Sequence, residues 1–166
     1  MAALTLLARR DFAVRELRER LAEDGFPADV LEPLVQDLLA QGALDDARYA
    51  ASYTSYHAAR GQGPRRITQD LMERGVAPVL IEAAIAAGPA GRVEAGDPPG
   101  GRGRDKVGEA GWKALAREVR AGRFGPEAPV DWPEKARQAR FLQYRGFSSD
   151  HIRSALGPDF DPEDPS

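Results

Sequence analysis

The chain is 166 residues long and carries 23 basic and 26 acidic side chains, a formal net charge of −3. That balance argues against whole-protein attraction to nucleic-acid phosphates. The absence of cysteine excludes a disulfide framework and a thiolate metal site.

The charge is unevenly spread. Residues 1–87 hold 10 basic and 13 acidic groups, residues 88–155 hold 13 and 9, and residues 156–166 hold four acids and no base. A local basic surface in the last third therefore stays open. Twenty of the basic residues are arginine, which fits bidentate contacts to carboxylate or phosphate, and fits a GC-rich codon bias equally well. Only 16 residues are Val, Ile or Thr, whereas Ala and Leu supply 43, so the composition favours helix over strand.

In chain order, MAALTLLARRDF reads as a short helix; its apolar run is too short for a signal peptide and no basic stretch precedes it. Leu17 and Leu21 mark a second helix, and Val30, Leu31, Leu34, Val35 and Leu38 a third. DARYAASYTSYHAARG follows as a fourth, then runs built on Ile67 and Leu71 and on Leu80, Ile81 and Ile85. The most apolar stretch, APVLIEAAIAAGPA, is interrupted by Glu82 and is far shorter than a membrane span. Residues 88–105, rich in Gly and Pro without apolar periodicity, read as a flexible linker. KVGEAGWKALAREVRAG and QARFLQYRGFSSDHIRSAL resume the helical pattern, and PDFDPEDPS reads as a disordered acidic tail. Gly25, Gly42, Gly61, Gly75 and Gly146 stand where helix C-caps belong, and Pro27, Pro64 and Pro78 open the helices after them.

An internal repeat is anchored on glycine. Leu21, Leu71 and Leu142 stand four residues before it, and Phe26, Val76 and Phe147 directly after it. Leu31, Ile81 and Ile152 follow six after, and Val35, Ile85 and Leu156 ten after. Each copy has a further helix ahead of it. The expected architecture is all-α, three tandem three-helix modules at 1–43, 44–87 and 106–157, with a linker at 88–105 and a tail at 158–166. Each module is too small to bury a full core alone.

Asp45 and Asp46 read as a helix N-cap and first-turn residue rather than a metal or acid–base pair. His57 and His151 have no ligand spacing, and no catalytic triad or carboxylate pair assembles, so neither enzyme activity nor a cofactor or metal is expected. Tyr49, Tyr53 and Tyr56 form one helical face, a docking stripe whose hydroxyl edge can meet a partner, with base stacking a lesser alternative. GQGPRRI has neither a preceding strand nor a GxxxxGK pattern. It reads as a tight turn that leaves Arg65 and Arg66 in a first helical turn, against the helix dipole. Lys135, Arg137, Arg140, Arg145 and Arg153 make the third module basic, and Trp112 and Trp132 read as core or hinge anchors. GGRGR at 100–104 is one short instance of a glycine–arginine segment.

The runs GALDDARYA, RGQGPRRITQDL and FLQYRGFS, with LARRDFAVRELRERLAEDGF ahead of them, resemble the RecX family, regulators of the RecA recombinase, over about residues 4–87 and 109–157. Two departures stand out. The first helix starts almost at Leu4, and the polar residue that usually caps the second helix is Ala13, with Asp11 as a substitute. The resemblance implies an elongated, curved chain of modules lying in the groove of the RecA–single-stranded DNA filament as a cytoplasmic monomer. There it would suppress strand exchange, ATPase and coprotease functions. Arginines at exposed turns then make Arg60, Arg65, Arg66, Arg140, Arg145 and Arg153 the expected contact residues, and the Gly/Pro-rich linker, longer than a simple connection, reads as a mobile joint. A helical DNA-binding protein or repressor acting through the basic third module, on single- or double-stranded DNA, is the alternative, and a generic helical-repeat scaffold is a third.

Overall fold

The computed structural model describes residues 2–89, 102–157 and 160, with only the backbone at 102–107. Its helices are α1 (Ala2–Leu7), α2 (Val14–Glu23), α3 (Ala28–Ala40), α4 (Asp46–Ala58), α5 (Pro64–Glu73), α6 (Pro78–Ala87), α7 (Arg102–Phe124), α8 (Trp132–Tyr144) and α9 (Ser149–Leu156), and no strand occurs among the described residues. They fall into three successive modules, α1–α3, α4–α6 and α7–α9, as the repeat predicts.

The glycine turns carry the repeat at atomic level. After α2, α5 and α8 the same three backbone bonds close the helix end. In α2, Asp24, Gly25 and Phe26 donate to the carbonyls of Arg20, Ala22 and Leu21. Arg74–Gly75–Val76 and Arg145–Gly146–Phe147 repeat the pattern. Gly25, Gly75 and Gly146 have φ of 90°, 77° and 94°, the left-handed region open to glycine.

The cores are less separate than the modules. Phe12, Leu17, Leu21, Leu31, Val35, Leu38 and Leu44 form the first, and Leu142, Phe147, Ile152, Leu156 and Phe160 lead the third. The middle core of Tyr49, Ala50, Ile67, Leu71, Val76, Ile81 and Ala84 also takes in Ala13 from before α2 and Trp112 from α7. A module of some forty residues gains its missing burial from both neighbours. Trp112 is 2% exposed, and its indole N–H donates to the Ile85 carbonyl at 3.0 Å.

The two joints are built differently. Between the second and third modules, backbone meets backbone: Gly63 N–H donates to Arg145 O at 2.7 Å and Arg65 N–H to Gly146 O at 3.0 Å. Gly63 has an ordinary φ of −83°. It is glycine because a Cβ there would overlap the Gly146 carbonyl carbon and lie 2.5 Å from Gly146 O and Phe147 N. Between the first and second modules, side chains bridge. Arg15 donates to Glu73 O at 2.6 Å, and Glu16 is held by Arg10 at 2.9 Å and Arg74 at 3.2 Å.

Two expectations for the first module change, and one for the second holds. The α2 N-cap, Ala13, makes no side-chain cap; the Val14 N–H is taken by Asp46 of the next module at 2.8 Å, not by Asp11. As expected, Asp45 caps α4, accepting from the Ala47 and Arg48 N–H groups at 2.8 and 3.0 Å, and Asp46 stands in the first turn. Phe26 breaks its column: it is 40% exposed, whereas Val76 and Phe147 are buried. Those two lie in turns that meet a preceding module, and no described element covers the Gly25 turn.

The third module is docked rather than swinging on a linker, because α7 packs along α6 and the Gly63–Gly146 turns interlock. The linker expected at 88–105 lies largely outside the described residues, and α7 already begins at Arg102. The tail expected from 158 lies outside them too, apart from Phe160. That ring is buried, 5.1 Å from Trp132, because α9 and α8 leave an apolar gap that it fills. Pro27 serves as the N-cap of α3 instead of opening its first turn.

Gly63→Ala should cost about 1–3 kcal/mol through overpacking of the backbone joint. Gly122→Ala, in α7 with nothing within 4 Å of its Cβ, should stabilise by up to about 1 kcal/mol. Paired thermal and urea melts read both.

Burial raises the Asp46 pKa most, the Asp45 charge adding to it against the Val14 hydrogen bond and Arg18. The folded chain then holds this proton more tightly than the unfolded one. The linked stability is fully present below the unfolded pKa and is lost as pH rises through the folded pKa. Asp46→Asn should therefore flatten the fall in stability with rising pH across that window. Asp46→Ala should cost about 1 kcal/mol at neutral pH by stranding the Val14 N–H. Urea melts between pH 3 and 8 check both.

Candidate partner-binding surface

The second module's aromatic stripe grades from core to solvent. Tyr49 is buried in the middle core, Tyr53 is half-buried, and Tyr56 is 54% exposed. The Tyr53 ring stacks on His57 with centroids 4.0 Å apart, and its hydroxyl donates to Asp70 at 3.3 Å. Burial is the main cause that raises the pKa of both Tyr49 and Tyr53 and lowers that of His57, so all three are neutral near pH 7. Of the three, Tyr56 is the exposed ring; it meets His57 in a T-shaped contact with centroids 5.1 Å apart, and the Arg60 guanidinium lies 3.5 Å over its centroid. The stripe is chiefly a docking face. With Arg10, Glu16 and Arg74 its outer residues line a cleft of about 570 Å³ at the first joint.

The structure brings Arg60, Arg65, Arg66 and Arg145 together at the second joint. The Arg145 guanidinium spans the modules, donating to Arg60 O at 3.2 Å and lying 5.2 Å from the Phe141 ring centroid. Arg65 and Arg66 open α5, whose first turn holds no acid. Arg66 pairs with Asp70 at 3.2 Å, while the exposed Arg65 side chain has no partner among the described residues. That leaves Arg65 as a cation beside unfavourable helix-end N–H groups, free to take an outside carboxylate or phosphate.

Arg140 stands exposed on α8, and Arg153 pairs with Asp150 at 3.1 Å on α9.

Much of the third module's basic character is spent internally. Arg120 is 5% exposed and donates to Glu127 O at 2.8 Å, Pro126 O at 3.0 Å and Gln138 at 3.4 Å, tying the α7–α8 connection. Arg117 bonds Ser154 and Arg137 bonds Glu134. His151, buried beside Phe147, closes a capping box with Ser148 and meets Glu109 at 3.1 Å. Burial, the largest single influence on Glu109, works upward, but His151 and Lys113 together hold its pKa below the ordinary value. Composition marks Arg120 as another basic residue of the third module, and nothing in its spacing signals that it is buried. No group of three or more potential metal ligands occurs among the described residues, and no helix there is long and apolar enough to cross a membrane.

Family models match all three modules: the first, second and third three-helix domains of RecX align with residues 1–38, 45–85 and 113–156. The chain belongs to the RecX family. Regulatory protein RecX of Halorhodospira halophila is 39% identical over 154 residues, covering 93% of this chain and 83% of that protein. The protein of the same name from Pseudomonas syringae pv. tomato is 35% identical over 93% of this chain and 86% of its own length. The fold agrees as well. A crystal structure of RecX from Lactobacillus salivarius superposes with a TM-score of 0.68 at 21% identity, covering 93% of this chain and 90% of that one. A second crystal structure of regulatory protein RecX gives 0.68 at 20% identity, covering 92% of this chain and 66% of that one.

Proposed function

We propose that this chain regulates a RecA recombinase by binding its filament on single-stranded DNA and inhibiting strand exchange, ATPase and coprotease activity. The observation that carries the reading is the trio of RecX domains, each aligned with one observed module. The joint cluster supports it. Arg60, Arg65, Arg66 and Arg145 are held at one place by backbone bonds between modules, so their spacing is pre-set before a partner arrives. Family membership supports a non-enzymatic role, with the chain acting in the cytoplasm as a monomer.

Direct DNA binding through the third module draws less support. Arg117, Arg120, Arg137 and Arg153 are engaged within the protein, and Arg140 is left as the exposed basic residue of α8 without a partner among the described residues.

The test is the ATPase of the cognate RecA on single-stranded DNA, titrated with this protein at low and moderate salt. Inhibition below one copy per RecA monomer that persists at moderate salt is expected. Inhibition that vanishes with salt or excess DNA would point to competition for the strand. Arg65→Glu with Arg66→Glu should weaken inhibition by about ten-fold or more, as loss of an interface charge does, with an unchanged melting curve. Full inhibition by that variant would remove both arginines from the contact surface.

A further inference from the structure

The two joints differ in chemistry but share one placement, and the first module holds an unused copy of half of it. In both joints a glycine turn seats against the start of the preceding module's middle helix, beside a first-turn arginine. A Cβ on Gly75 would meet Arg15, and one on Gly146 would meet Arg66. The carbonyls of such a turn are the acceptors: Arg145 O and Gly146 O take N–H groups from α5, and Glu73 O takes Arg15. The residue after the glycine, Val76 or Phe147, is buried.

The Gly25 turn has the same backbone bonds and the same positive φ. Yet nothing lies within 4 Å of a Cβ on Gly25, and the carbonyls of Asp24 and Gly25 accept no hydrogen bond among the described residues. Phe26 and Val30 are 40% and 50% exposed beside it. The surrounding α2–α3 segment, residues 14–40, is acidic, with seven carboxylates against three arginines.

We infer that the Gly25 turn is a docking site for the N-terminal end of a partner protein's helix, one that begins with a small residue and carries arginine or lysine in its first turn. The partner's exposed N–H groups would meet the Asp24 and Gly25 carbonyls, as α5 meets Arg145 and Gly146. Its cation would find the acidic segment, and an apolar residue would cover Phe26. The acidic surroundings also favour the positive end of a helix.

A second copy of this chain does not supply that element. The start of α2 is taken by Gly75 and the start of α5 by Gly146. In α8, Glu134 stands at the repeat position of Gly63, where even a Cβ would overlap the docked turn, and α8 extends further ahead of it. This inference rests on the repeat geometry and stands apart from the RecA reading.

The probe is a lactam-stapled helical peptide with this chain's own residues 60–74, RGQGPRRITQDLMER, titrated into isotopically labelled full-length protein and followed by amide chemical shifts. Shifts centred on Glu23–Val30 are expected. Phe26→Glu, at an exposed position, should weaken binding by about ten-fold or more while leaving the melt unchanged. A peptide carrying Gly63→Val should fail to bind. Shifts confined to the Gly146 turn, equal binding by the Phe26→Glu protein, or no shifts at millimolar peptide would overturn the proposal. So would wild-type self-association in sedimentation that Phe26→Glu abolishes, since the occupant would then be another copy.

Discussion

The contact between Gly63 and the Gly146 turn is the constraint on which the rest of the arrangement depends. Two backbone hydrogen bonds cross it, and they form only because position 63 has no Cβ. Backbone bonds have little freedom to adjust, so the contact sets the angle between the second and third modules more tightly than side-chain packing would. The arginines inherit that geometry. Arg65 leads away from one of the bonded N–H groups, Arg145 carries one of the bonded carbonyls, and its guanidinium turns back to Arg60. The GQGPRRI turn is thus an intermodular joint with cations around it.

The first joint solves the same problem with other chemistry. Ala13 stands where Gly63 does in the repeat, and its methyl is buried in the middle core, so the backbones stay further apart. Arg15, Glu16, Arg10, Arg74 and Asp46 fill the difference with ion pairs and side-chain hydrogen bonds. Partly exposed pairs of this kind contribute little each. The apolar share of the joint therefore comes from Ala13 entering the neighbouring core, as Trp112 does from the other side. The middle module is the one whose core is completed by both neighbours, which makes its folding dependent on theirs.

Helices, glycine turns and buried columns were legible because they rest on local chemistry: apolar periodicity, positive φ at glycine and the N-cap at Asp45 all act within a few residues. Leu21, Leu71, Leu142 and the columns of Leu31 and Val35 follow from the repeat for that reason. What the pattern could not carry was tertiary. The Asp46–Val14 bond spans 32 residues, the Gly63–Gly146 approach more than twice that, and Arg120 is buried by a connection that has no periodicity at all. Phe26 shows the limit of the repeat itself: a column predicts burial only where the covering module is present. The candidate arginines divide along the same line. Those beside the joint converge because backbone geometry gathers them, while Arg140 and Arg153, read from charge alone, remain on separate helices.

A fixed joint changes how a modular regulator can engage a repeating partner. Flexible modules would each bind at an effective concentration set by the linker, and the gain would fall as the tether lengthened. Here α7 lies along α6 and the Gly146 turn is bonded to α5, so the second and third modules present one surface whatever the length of the segment between Ala87 and Arg102. The ordering cost is met when the chain folds rather than when it binds. Such a surface is selective for geometry. It fits a partner whose contact sites repeat at matching spacing and loses several contacts together when that spacing changes. Under the proposed filament-binding role, sensitivity to filament state would reside in the joint as much as in the arginines around it.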